Sequence, residues 1–139
     1  MPKRFMTCLL LTACSPVFAA GMQPGEWQIN ATTTSPLFAA AQSSVFKHCV
    51  TREDAENPER WMARQSEKGE CKLTPRERTA DSMTWEMACP RTNMRGSGAA
   101  RLTGPATLEG EMNLTGNFQG HAVQMSTRMS GKRLGPCKS

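Results

Sequence analysis

Four cysteines, Cys49, Cys71, Cys89 and Cys137, are spread through the body of a 139-residue chain whose other two, Cys8 and Cys14, sit within and directly after an amino-terminal apolar run. An even count in a small chain behind an export-type leader reads as two disulfides, with three connectivities open. The pairing Cys49–Cys71 would bracket a helical insert, and Cys89–Cys137 would tie the closing strand to a central one. These two bridges are the expected set. Each would add about 3–4 kcal/mol, comparable with the net stability of a small domain. A zinc or redox site is the competing use. There is no C-x-x-C pair, and spacings of 22, 18 and 48 residues match no zinc-ribbon pattern. A nucleophilic thiol would need a base, and only His48 and His121 are available. His48 adjoins Cys49, but neighbours in a strand point to opposite faces.

The amino terminus has the build of a targeting signal. Lys3 and Arg4 precede a short apolar run from Phe5 to Ala13, and Pro16 stands before the small-residue context Val17-Phe18-Ala19-Ala20. The run is about half of the ~20 residues a membrane-spanning helix needs. Residues 1–19 are therefore expected to be a cleaved signal peptide, with a single disulfide-bonded domain over 22–137. Leu11-Thr12-Ala13-Cys14 also resembles a bacterial lipoprotein box, which would end the signal at residue 13 and acylate Cys14. Ser15 is not the aspartate that holds lipoproteins at the inner membrane, so this alternative implies the outer membrane. Removing Lys3 and Arg4 lowers the 17 basic residues to 15, against 12 acidic ones, leaving +3. That excess is dispersed, which gives nucleic-acid binding no support. The membrane would be reached only through an anchor at Cys14.

Alternation with period two dominates the rest of the chain. From Gly25 it places Trp27, Ile29 and Ala31 on one face, with Glu26, Gln28 and Asn30 on the other. A strand resumes at 45–50 after an ambiguous stretch, 37–44. Thr51 with Asp54 forms a helix start, and Pro58 occupies a favoured first helical position. A helix is expected over 58–65, with Trp61 and Met62 toward the sheet and Gly69 ending it. Residues 71–78 and 82–89 read as a strand pair in which Met83, Trp85, Met87 and Cys89 share a face. Strands follow at 95–103 and 106–115, and the last sets Val123, Met125, Thr127 and Met129 inward. The expected fold is mainly β, a curved antiparallel sheet or incomplete barrel of six to seven strands, with one helical insert and two disulfides.

Chemistry is thinly represented. Met83, Met87, Met112, Met125 and Met129 fall on inward faces, and soft thioethers with His121 would suit Cu(I), although methionine is also a good core filler. A sheet lined by Met, Leu and Trp can cup a small apolar ligand. Arg95-Gly96-Ser97-Gly98 and Lys132-Arg133 would suit a protein contact, but Lys132-Arg133 is expected rather to be a solvated charge pair guarding an edge strand. Glu109 and Glu111 share a face that reads as solvent-exposed. No Ser-His-Asp order, phosphate loop or metal triad is present, so no catalytic residue, metal ligand or cofactor is expected.

The opening Met22-Gln23-Pro24-Gly25-Glu26-Trp27, the Cys49-Val50-Thr51 helix start with Glu53-Asp54, and the Gly69-Glu70-Cys71-Lys72 corner are distinctive in combination. With Met83-Thr84-Trp85 before Cys89 and the closing segment from Met129 through Gly135-Pro136-Cys137, they resemble the DUF3617 family. Its members are small exported bacterial proteins of unassigned function. The chain departs from the family at Leu37-Phe38-Ala39-Ala40-Ala41, where a methionine- and proline-rich segment is common, and it has no tyrosine. The resemblance implies an exported, periplasmic envelope protein and supplies no reaction. The expected role is a non-catalytic binding or interaction module whose partner is another envelope protein or a small apolar ligand. The alternatives are a lipid-like ligand carrier and, behind it, methionine-based copper binding.

Overall fold

The computed structural model describes residues 21–138; the signal peptide expected over 1–19 and the alternative of lipidation at Cys14 fall outside the described residues. Seven strands form one antiparallel sheet: β1 (Gly25–Thr34), β2 (Gln42–Val50), β3 (Lys72–Arg78), β4 (Ser82–Cys89), β5 (Met94–Gly104), β6 (Thr107–Phe118) and β7 (His121–Gly135). Their order across the sheet is β2-β1-β7-β6-β5-β4-β3. The helical insert between β2 and β3 is two helices, α1 (Arg52–Glu56) and α2 (Pro58–Lys68), where the sequence reading held only the second and ended it three residues early. The ambiguous stretch divides into a loop and the start of β2 at Gln42.

The alternation sorts the two faces as expected. Register pairs Ile29 with Gly131, Leu108 with Gly131, and Met83 with Ala100, so the apolar positions of all strands share one face. On it, Trp27 is fully buried and Trp85 is 1% exposed. Three contiguous clusters fill this face, around Trp27–Ile29–Val50, Leu73–Met83–Trp85 and Cys89–Met94–Leu114. The opposite face carries Asn30, Thr32, Arg101, Glu109, Glu111 and Arg128.

The insert shows how far the sheet is curled. Trp61 of α2 stacks on His48 of β2, with ring centroids 4.6 Å apart. Two residues earlier, Glu59 accepts from Arg78 of β3 at 3.1 Å. β2 and β3 are the outermost strands, yet both reach the first turn of one helix about 10 Å in diameter. The sheet is thus an incomplete barrel with the insert in its gap. Ala55 packs on the first cluster and Met62 on the second.

Two sequence-based expectations fail here. The disulfides are Cys49–Cys137 and Cys71–Cys89, with Cα–Cα separations of 5.5 and 4.1 Å. The insert does not return to its starting point: eleven residues of α2 carry the chain about 16 Å along the sheet. Cys71 is thereby delivered to the end opposite Cys49, where the Lys72–Ala88 register sets it across from Cys89. Glu26 pairs with both Cys49 and Gly135, so Cys137, just beyond, reaches over β1 to Cys49. The second correction concerns Lys132 and Arg133. They do not guard an edge, because β7 lies between β1 and β6 in the middle of the sheet. Arg133 instead donates from Nε to the Pro24 carbonyl at 2.8 Å, fixing the chain just before β1.

Candidate functional site

The residues that sequence reasoning singled out are placed in separate neighbourhoods. Met83, Met87 and Met129 join Met62 around Leu73 and Trp85, while Met112 and Met125 join Met94 around Cys89 and Leu114. His121 stands exposed at the far tip of the β6–β7 hairpin, opposite Phe118. The structure therefore gathers the methionines into packed clusters without bringing His121 to them. Gly96 and Gly98 are central in β5 and form no loop. Gly98 lies directly beneath the Trp85 ring, and a Cβ there would come within 2.3 Å of the indole. Glu109 and Glu111 face the polar side, as expected, with Glu109 3.7 Å from Arg101. An open depression of about 570 Å³ lies over this polar side, lined by residues including Asn30, Thr32, Glu109 and Arg128.

One cluster escaped the sequence reading. Asp54 is the buried charged residue of the described chain, 9% exposed. Its amide donates to Thr51 Oγ1 at 3.1 Å and its Oδ2 accepts from the Thr51 amide at 3.3 Å, a capping box that starts α1. Arg64 donates to Oδ1 at 2.7 Å, and His48 Nε2 lies 3.7 Å from Oδ2. His48 Nε2 and Trp61 Nε1 are buried without a hydrogen-bond partner among the described residues. Thr51 with Asp54 was visible as a cap, but nothing local joins His48, Trp61 and Arg64. They meet only once α2 folds back over the end of β2.

Electrostatics make this cluster a clasp for the insert. Burial alone pushes the Asp54 carboxyl up, but the Thr51 amide and hydroxyl and the Arg64 guanidinium outweigh it, holding the pKa below its ordinary value. A lowered folded-state value means stability that is fully present above about pH 4 and is lost as the pH falls through the folded pKa. Asp54→Asn should destabilise the protein by about 1–2 kcal/mol at pH 7, and the difference from wild type should shrink toward pH 2. Urea titrations at a series of pH values would check this; a gap that widens in acid refutes the clasp.

The edges of the sheet are guarded unequally. β3 carries Pro75, Lys72, Arg76 and Arg78, has a register irregularity between Pro75 and Arg78, and packs against α2. These are the devices that keep edges from pairing. β2 pairs with β1 through nine uninterrupted positions and contains no proline. Its single Lys or Arg, Lys47, is 3.8 Å from Glu26. Val45 and Phe46 on it are 63% and 43% exposed. Sequence reading passed over this edge because alternation reports faces and not neighbours.

No helix of the described residues is long and apolar enough to cross a membrane, and two disulfides accord with a periplasmic or extracellular location. No curated protein and no solved structure matches the chain. The sequence profile of the family described as "Protein of unknown function (DUF3617)" does, over residues 22–137. That span takes in all seven strands, both helices and all four bonded cysteines, and the chain belongs to the DUF3617 family.

Proposed function

We propose that the protein is a non-catalytic interaction module of the cell envelope, exported to the periplasm, which binds an extended segment of a partner envelope protein along β2. The observation that carries this reading is the exposed Gln42–Lys47 stretch of β2, with the insert packing only at its His48 end, set against the heavily guarded β3 edge on the other side of the sheet. An added strand gains main-chain hydrogen bonds along β2, and side-chain contacts such as those of exposed Val45 and Phe46 select which strand is accepted. The apolar inner face favours this over a lipid-like carrier, since its Trp, Leu and Met side chains already pack on one another.

A photo-crosslinking residue at Ser43, compared with one at Thr74 on β3, tests the proposal in intact cells. The expected result is a crosslinked envelope protein from position 43 and none from position 74. Ser44→Pro, which removes an N–H from the edge strand, should reduce the yield at least tenfold. Equal capture from both edges, or none from β2, overturns the reading.

A further inference from the structure

The polar face of the sheet has two open depressions that differ in charge. The one over Glu109 and Arg128 is balanced, since Arg101 and Arg128 stand there with Glu109 and Glu111. The other, of about 730 Å³, lies over β3, β4 and β5. Register sets Lys72, Ala88 and Arg95 side by side across these three strands. Two strand spacings, about 10 Å, separate the outer two, with only the Ala88 methyl group between them. The next row of the same face is Thr74, Glu86 and Ser97, and Thr115 of β6 lies beyond Arg95. Glu86 is the one acidic residue of this lining, and Arg76 binds it. Glu70, just before Cys71, is bound by Arg91. Lys72 and Arg95 form no ion pair among the described residues. Edge protection accounts for Lys72 but not for Arg95, whose strand is third from the edge. Arg101, on the same strand and face, has Glu109 as its acid. Arg95 has Ala88 and Thr115 as cross-strand neighbours instead.

We infer that this second depression is an anion site, in which Lys72 and Arg95 together hold a phosphoryl group. A guanidinium presents a planar fork to two oxygens of such a group, and the lysine ammonium adds a compact charge on a flexible stem. A planar carboxylate is served by the Arg95 fork alone. A tetrahedral phosphoryl group has further oxygens, which can accept from the Lys72 ammonium and from a hydroxyl of Ser97 or Thr115 at the same time. The small Ala88 side chain leaves the space in which the group sits. With Glu86 neutralised by Arg76, the depression keeps two uncompensated positive charges, the field that draws in an anion. This chemistry is shared by a phospholipid headgroup and by free phosphate, and the volume is in the range of small-molecule sites. The site is on the half of the sheet away from β2, so it is independent of strand pairing along that edge.

Protein purified from cells expressing the full chain would be titrated at constant ionic strength with three probes. These are inorganic phosphate, dihexanoylphosphatidylglycerol kept below its micelle concentration, and acetate. Amide chemical shifts should move saturably at Lys72, Ala88, Arg95 and Ser97 with at least one phosphoryl probe, and not with acetate. Lys72→Gln and Arg95→Gln should each weaken that binding at least tenfold, whereas Arg128→Gln, over the balanced depression, leaves it unchanged. Lys72 and Arg95 are both exposed, and matching circular dichroism spectra would confirm that the variants are folded. Binding of the lipid alone identifies a headgroup as the source of the phosphoryl group, and binding of inorganic phosphate alone identifies the free ion; either result upholds the site. No saturable binding of either phosphoryl probe, equally tight binding of acetate, or undiminished binding by Arg95→Gln overturns the inference.

Discussion

Replacing Cys49 and Cys137 together by serine should lower the unfolding free energy by about 4.5 kcal/mol, and the same change at Cys71 and Cys89 by about 3 kcal/mol. The order follows from sequence separations of 88 and 18 residues, since a longer closed loop restricts the unfolded chain more. Native geometry adds to the difference. The long-range bridge passes over the start of β1, where Glu26 is shared between Cys49 and Gly135, and it secures the end of β7. The short-range bridge joins strands already paired at Lys72–Ala88. Urea unfolding of both double-serine variants, with non-reducing peptide mapping of the wild type, would check the result. A larger loss from the Cys71–Cys89 pair would mean that the closing strand is held by its ladder and not by its bridge. In the Cys49 and Cys137 variant β2 is the first element affected, because it loses its covalent tie to the chain beyond β7 and keeps β1 as its single strand partner.

The faces of the sheet were legible in the sequence; its neighbours were not. Alternation at Trp27 and Ile29, and again at Met83, Trp85 and Met87, assigns side chains to the interior because strand periodicity is two. It contains no information on which strand lies alongside. The pairing of β1 with β7 joins residues such as Ile29 and Gly131, about a hundred positions apart, and two different strand orders would leave the same pattern. Both errors, the disulfide pairing and the edge role given to Lys132 and Arg133, descend from that one gap. The helix start was readable because its chemistry is local: Thr51 and Asp54 cap each other within three residues. The rest of that clasp was not, since His48 meets Trp61 only through the path of α2.

Gly98→Ala should cost about 3 kcal/mol and Trp85→Ala about 4 kcal/mol, while the double variant should cost little more than Trp85→Ala alone. A Cβ at position 98 would lie 2.3 Å from Trp85 Cζ2 and 2.4 Å from Cε2. The indole cannot bend away, and it is 1% exposed beneath its neighbours. Glycine is therefore required at 98 by the ring, not by the backbone, which is ordinary strand paired in register with Trp85. Once the ring is removed the new methyl group occupies vacated space. Alanine is then also the better strand residue, since glycine loses more freedom on folding by roughly 0.5–1 kcal/mol. The coupling between the two positions should be near 3 kcal/mol in magnitude, well above the ~0.5 kcal/mol within which independent sites add. Urea midpoints with unchanged slopes would measure it. Additive losses would show that the ring does not lie on Gly98. The consequence extends beyond the core, because Met62 of α2 packs on the cluster that Trp85 anchors. Loosening that contact releases the insert from the β3 side of the gap, so Trp85→Ala should also raise hydrogen exchange in α2 and β3 while leaving the β6–β7 hairpin protected.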